Sequence, residues 1–386
     1  MVEKIEITDK SVDGYRLIVS QDELGALVNG WLQEPVVSID TEFMRTNTYF
    51  SKPGLIQIAD SQGVYIIDPL KVTNLHPLGE LLCSDKVIKV MHAMSEDIEL
   101  LYHATEVKAQ SVFDTQTAAA FLGYGASLGY QKLVGDVLSI ELDKSETRSD
   151  WLKRPLTDSQ LSYAAKDAEY LLYLYEKLKS ALLSKQLLAA VFDEVASVID
   201  QTILTWEQPE NAYLKLRGAW ELSLDSQRLL KALVEWRDGL AIKENIPKPW
   251  IFNDSLLIKI AEDKPSSLGQ LKRYKGMQFK SLRQFGEAVI EFIESYSPGS
   301  AGDDFVLVDH PVKGPELDLF KKLKRVVAEV AEHSGIAVQL LGSRKMLEHL
   351  VIHCYRKNKT QLPESYSGWR KGYLGEKIVA ILEEAV

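Results

Sequence analysis

The stretch Val36-Val37-Ser38-Ile39-Asp40-Thr41-Glu42-Phe43 joins a buried-strand pattern to two acids at its end. A short run of β-branched apolar residues reads as a strand with covered faces. Side chains alternate along a strand, so Asp40 and Glu42 project to the same side of its end. Two carboxylates held that close repel, and the pair must share a proton or a cation. A strand running into a solvated acidic turn would carry the same letters, so the pair takes its meaning from the acids placed beside it.

The 386 residues predict two or three domains, and 46% hydrophobic with 26% charged residues is the balance of a soluble globular chain. Two cysteines, Cys83 and Cys354, argue against a disulfide framework or a cysteine zinc site and fit a reducing compartment. Met1-Val2-Glu3-Lys4-Ile5-Glu6 lacks the order of a signal peptide, and no apolar run approaches the roughly 20 residues that span a bilayer. The expectation is a cytoplasmic monomer with no membrane partner. A net charge of −10 does not advertise a nucleic-acid binder, but carboxylates of a metal site count in that sum until their ions are bound.

Outward from the central strand, Tyr15 to Ser20 reads as a strand and Gln21 to Leu32 as a helix with Ser20 and Asp22 as candidate caps. Arg45 to Gly54 reads as a loop closed by Pro53-Gly54. Leu55-Ile56-Gln57-Ile58-Ala59 and Val64-Tyr65-Ile66-Ile67-Asp68 then complete a meander, and Val87 to Met91 adds a strand after a helix over Leu75 to Leu82. Helices dominate from there to about Leu182, giving an α/β or α+β layout around one mixed sheet.

Ser95 is a candidate N-cap, and Asp97 in that first turn suits the helix dipole. The helix Asp158 to Lys179 carries Tyr163-Ala164-Ala165-Lys166-Asp167, which puts the Tyr163 phenol and the Asp167 carboxylate on one face. Alanines 164, 165 and 168 leave that face open to close approach, beside a core stripe of Leu161, Leu171, Leu172 and Leu174.

Asp-x-Glu at a strand end, Asp97 after His92-Ala93-Met94-Ser95-Glu96, and Tyr-x-x-x-Asp on a later helix together resemble the exonuclease motifs of the DEDD superfamily, Tyr-bearing subgroup. Asp40-Thr41-Glu42-Phe43, Gly54-Leu55-Ile56-Gln57-Ile58, Phe113-Asp114-Thr115-Gln116, the run Leu142 to Trp151 and Tyr163 to Asp167 look like the blocks of the ribonuclease D family, over about residues 15 to 205. The resemblance implies a ribonuclease H-like α/β fold, stepwise 3′→5′ hydrolysis of RNA releasing 5′-mononucleotides, and a catalytic set of Asp40, Glu42, Asp97, Asp167 and Tyr163. Four hard oxygen ligands suit two Mg²⁺ or Mn²⁺ ions rather than zinc. Two such ions can activate a water and stabilise the leaving 3′-oxygen, with Tyr163 orienting the water. Phe43 is a candidate surface for the last base, and Lys144, Arg148, Trp151, Lys153 and Arg154 for phosphates of the incoming strand.

The C-terminal half reads as helical. Glu207-Gln208-Pro209-Glu210 breaks a helix from Leu182 to Trp206, and residues 218 to 295 resemble the nucleic-acid-binding helicase-and-RNase-D C-terminal (HRDC) domain, with Asp254-Ser255 as a cap inside it. Ser297 to Asp304 is the clearest linker, and 316 to 386 resembles a second, divergent copy. The division expected is 1–205 exonuclease, 206–297 first HRDC domain, 298–315 linker and 316–386 second HRDC-like domain. Lys272, Arg273, Lys275, Lys280 and Arg283, interleaved with Tyr274 and Phe279, have the composition of a single-strand or tRNA-contacting face. Lys321, Lys322, Lys324 and Arg325, then Arg356, Lys357 and Lys359, form further groups that a solvated helix face would explain equally. The function expected is metal-dependent trimming of RNA, especially tRNA precursors with 3′ extensions. The alternatives are a DNA exonuclease of the same superfamily and a catalytically silent RNA-binding scaffold.

Overall fold

The computed structural model describes residues 14–142, 146, 149–297, 305–359 and 361–384; Lys144 and Arg148 lie outside them. The described strands form one mixed sheet, in the order β1 (Tyr15–Ile18), β4 (Val64–Ile67), β3 (Lys52–Ala59), β2 (Val36–Met44), β5 (Ile88–Met91), β6 (Val112–Asp114). β2, β3 and β4 are the antiparallel meander, while β1 runs parallel to β4, β5 to β2 and β6 to β5. Val37, Ser38 and Ile39 are all buried, as expected of a strand covered on both faces.

Around the sheet stand α1 (Gln21–Trp31), α2 (His76–Cys83), α3 (Ser95–Thr105), α4 (Thr115–Phe121), α5 (Tyr130–Leu138), α6 (Asp158–Ser184) and α7 (Leu188–Glu207). α6 lies across β2, β3 and β4, its Leu161, Ala164, Ala165, Ala168, Leu171 and Leu174 buried. The alanines let the helix approach closely enough for the Ser38 hydroxyl to donate to the Ala168 carbonyl at 2.6 Å. A capping box starts it: the Thr157 side chain accepts from Gln160 N, and the Gln160 side chain accepts from Thr157 N.

Several local expectations are revised. Lys52, Pro53 and Gly54 belong to β3 rather than to a loop, and the pairing shifts register between Glu42 and Phe43. Gly54 is obligatory there, since a Cβ would sit 2.7 Å from Trp151 Cβ and 2.8 Å from its carbonyl oxygen. Ser20 occupies the N-cap position of α1 without a side-chain cap bond, and Ser95 is the first residue of α3 rather than its cap. β6 was not anticipated, being only three residues long. The helix expected from Leu182 is split, with α6 ending at Ser184 and α7 beginning at Leu188.

The chain divides into two compact units. One holds the sheet, its helices to Thr202, and everything from Gly314 onward; the other holds Arg45–Ser51 and Ile203–Lys313. The second unit contains α8 (Leu224–Glu244), α9 (Lys248–Ile251), α10 (Asp254–Asp263), α11 (Leu268–Leu271) and α12 (Phe279–Ser295). α10 is capped by Asn253, whose Oδ1 accepts from Leu256 N, rather than by Asp254. Tyr49 lies in this unit's core, and Asn245 Oδ1 accepts from the backbone of Tyr49 and Phe50.

In the first unit the last part of the chain forms α13 (Pro315–Ser334), α14 (Val338–Gly342), α15 (Arg344–Leu350), α16 (Gly368–Arg370) and α17 (Glu376–Glu383). It is fastened to the sheet-and-helix body: Ala337 N donates to Ala120 O at 2.9 Å, Trp369 packs edge-on against Phe121, and Arg370 pairs with Glu194 at 2.6 Å. Among the described residues, no helix is long and apolar enough to cross a membrane.

Candidate active site

Ser38, Asp40 and Glu42 follow one another at the strand period, so the residue that ties β2 to α6 also sets which way the two acids point. On α6, Asp167 immediately precedes Ala168, the acceptor of that bond. The result is a cluster in which one carboxylate oxygen each from Asp40, Glu42 and Asp167 lie within 4.8 Å of one another. Asp97 comes from the first turn of α3 and stands just outside that triplet. Its carboxylate accepts from the Thr41 hydroxyl, so the residue between the two strand acids holds the fourth.

α3 is aimed by a tight turn. Ala93 adopts φ 52°, and its N–H donates to Asp114 Oδ1 at 2.7 Å, while the other Asp114 oxygen caps α4 through Thr117 N. His92 Nδ1 lies 2.9 Å from the Thr115 hydroxyl.

The electrostatics follow from burying like charges together. Burial raises the Asp40 carboxyl from 3.8 to about 7, and burial with repulsion from Asp40 raises Asp167 to about 8 despite its hydrogen bond from Tyr163. Glu42, buried and facing Asp40, Asp167 and Asp97, is pushed to about 9. Asp97 is raised well above its usual range by burial and by Asp40. Such a set of oxygens, with no His or Cys among them, is the donor chemistry of a divalent-metal site. The Tyr163 phenol leans on Asp167 from one helical turn away, and the Trp151 ring, 2% exposed, backs it at 6.1 Å.

A cavity of about 840 Å³ is lined by Asp40, Thr41, Glu42, Tyr163 and Asp167 together with His92, Tyr130 and Lys132. Tyr130 donates to the Asp167 carbonyl at 2.5 Å, bracing α6 at the turn that carries Asp167. Sequence reading missed Thr41, His92 and Tyr130. Thr41 was legible only as the residue between two acids, and Tyr130 carried no signal.

Among the described residues, none of the other expected substrate residues lines this cavity. Phe43 is half-buried on β2 beyond the register shift and does not line the cavity. Lys153 is exposed, but Arg154 is committed elsewhere: it forks onto Asp68 at 2.7 and 2.8 Å and donates to the Gly54 and Trp151 carbonyls. Lys272, Arg273 and Lys275 are exposed in the second unit, whereas Tyr274 packs against that unit's core with its hydroxyl on Asp263. Phe279 is 74% exposed, and Lys280 Nζ sits 5.1 Å from the Trp250 ring centre. Arg356 forks onto Glu316 at 2.7 Å and fastens α13 to the end of the π-helical stretch Val351–Arg356 that follows α15.

Comparison with known proteins gives three family matches: a 3′-5′ exonuclease model over residues 15–183, an HRDC domain over 226–293, and the C-terminal HRDC domain of ribonuclease D over 317–378. Ribonuclease D of Pseudomonas paraeruginosa is 35% identical over 355 residues, covering 92% of this chain and 94% of that protein. Ribonuclease D of Escherichia coli is 32% identical, covering 96% and 99%. The crystal structure of Escherichia coli RNase D, described as an exoribonuclease involved in structured RNA processing, matches with a TM-score of 0.85 at 31% identity over 96% of this chain and 99% of that one. Neither a DNA exonuclease nor a silent scaffold is favoured by these matches.

Proposed function

Since this chain belongs to the ribonuclease D family of 3′→5′ exoribonucleases, we propose that it trims 3′-extended RNAs, tRNA precursors above all, releasing one 5′-mononucleotide at a time. The observation that carries the reading is the convergence of Asp40, Glu42 and Asp167 within 4.8 Å, with Asp97 held to the same strand by Thr41.

The residues fit a pair of divalent ions, Mg²⁺ or Mn²⁺. The carboxylates are drawn from four separate positions into one half-buried place, where their charges are tolerable only when neutralised. Asp40, Glu42, Asp167 and Asp97 would hold the ions, which supply an activated water and stabilisation of the leaving 3′-oxygen. Tyr163, fixed by Asp167 and Trp151, orients the attacking water with its phenol. Tyr130 keeps the Asp167 turn in place, and His92, whose proton affinity burial lowers, lines the cavity as a neutral ring at pH 7. Lys153 on the nuclease body and Lys272, Arg273 and Lys275 on the helical unit are read as phosphate contacts to the body of the RNA.

The test is product sizing on a 3′-extended tRNA precursor with and without chelator. Wild type should shorten the precursor stepwise only when divalent metal is present. Asp40→Ala and Asp167→Ala should leave it intact while still binding it. Cutting by either variant at the wild-type rate would refute the assignment.

A further inference from the structure

The outward stripe of α6 serves two cavities rather than one. Ser159, Ser162, Tyr163, Lys166, Asp167 and Tyr170 recur at helical spacing of three and four, so they share a face. Tyr163 and Asp167 line the 840 Å³ cavity already described and also a second cavity of about 220 Å³, which adds Ser159, Ser162, Lys166 and Tyr170. Tyr163, Asp167, Glu141 and Leu142 therefore border both cavities, which adjoin each other along α6.

Two adjoining cavities suit an exonuclease, because the scissile phosphate has the departing nucleotide on one side and the rest of the strand on the other. The larger chamber, with Tyr130, Ile140 and Leu171 in its wall, has the room and apolar surface for a base and ribose. The smaller one is lined by the hydroxyls of Ser159, Ser162, Tyr163 and Tyr170, by the Lys166 ammonium, and by the Glu141 and Asp167 carboxylates, the second of which a bound divalent ion would neutralise. Ser159 already donates to Glu146 at 2.7 Å, while Ser162 and Lys166 are exposed donors of the lining. Glu141 lines both chambers and limits how strongly an anion is held.

We propose that the smaller cavity is the subsite for the phosphodiester one nucleotide upstream of the scissile bond, with Lys166 as its cationic donor and the Ser162 hydroxyl as its second. This rests on the exoribonuclease reading of the shared wall. It assigns a residue that takes no part in holding metal or moving protons.

Dinucleotides test it directly. NpN carries only the scissile phosphate, whereas pNpN adds the one Lys166 would hold. Wild type should cleave pNpN with a kcat/KM roughly three- to tenfold above that for NpN, the range of a solvent-accessible charge-assisted contact. Lys166→Gln should abolish that preference while leaving NpN cleavage unchanged. Lys166→Arg should keep most of it, and Ser162→Ala should lose part. Binding of a fluorescent 12-nucleotide RNA with Ca²⁺ in place of Mg²⁺ should weaken by a similar factor in Lys166→Gln, with a salt slope shallower by about 0.7. A wild type indifferent to the 5′-phosphate, or a Lys166→Gln that still prefers pNpN, overturns the subsite while the exonuclease reading stands. Failure to cut any RNA would overturn both.

Discussion

Replacing Asp167 with Asn should stabilise the metal-free protein at alkaline pH while ending hydrolysis. In the folded chain Asp167 is raised from 3.8 to about 8 by burial and by Asp40. A carboxyl with a folded value above its unfolded one favours folding fully below pH 3.8. That contribution is lost as pH rises through about 8, where the group must ionise beside Asp40 and Glu42. A shift of about 4 pKa units corresponds to an upper bound of roughly 5 kcal/mol. The repulsion is shared with Asp40 and partly relieved by water at a partly buried site, so about 1–2 kcal/mol is the gain expected from one substitution. Asn keeps an acceptor for the Tyr163 phenol and cannot ionise. Urea unfolding at pH 8.5 in chelator, followed by tryptophan fluorescence that includes Trp151 beside Tyr163, should place Asp167→Asn above wild type by that amount. At pH 5.5 the gap should narrow, because only part of the interval between 3.8 and about 8 has been crossed, and it should close only below pH 3.8. Mg²⁺ at pH 8.5 should stabilise wild type more than the variant. A variant no more stable than wild type at pH 8.5, or an equal gap at both pH values, would refute the reasoning.

The same proton affinities predict metal–proton competition. With carboxyls at about 7, 8 and 9 on Asp40, Asp167 and Glu42, activity at limiting Mg²⁺ should rise with pH across that range, and its midpoint should move to lower pH as Mg²⁺ is increased. A midpoint indifferent to metal concentration would contradict it. Glu194→Ala should destabilise the protein by about 3 kcal/mol in chemical denaturation, because it removes the partner of a guanidinium only 9% exposed. Replacing Lys272, Arg273 and Lys275 together by Gln should flatten the salt dependence of tRNA binding by about 2 in log–log slope, with cleavage of a short oligonucleotide unchanged. An unaltered slope would remove that face from the RNA contacts.

Much of the site was legible because its geometry is local. Asp40 and Glu42 are two apart on a strand, and Tyr163 and Asp167 are four apart on a helix, so backbone periodicity alone fixes which side chains neighbour each other. The β2–β3–β4 meander and the long α6 follow from the same periodicities. Where local rules failed, a distant partner had outbid them. Pro53 and Gly54 carry turn letters, yet pairing with the end of β2 and the approach of Trp151 make them strand. Arg154 has the composition of a phosphate ligand, yet Asp68 and two carbonyls claim it. Tyr274 sits among cations, yet its ring covers apolar core.

By itself the chain's order of residues specified the elements, the acids they carry and the side of each element those acids occupy, since these depend on contacts within a few residues. Only tertiary packing decided that the acids on β2, α3 and α6 meet, that Thr41 ties Asp97 to the strand, and that Arg45–Ser51 belong to the helical unit while the chain from Gly314 onward belongs to the nuclease body. Those outcomes depend on the close approach of segments far apart in sequence, such as Ser38 to Ala168, which no local pattern encodes.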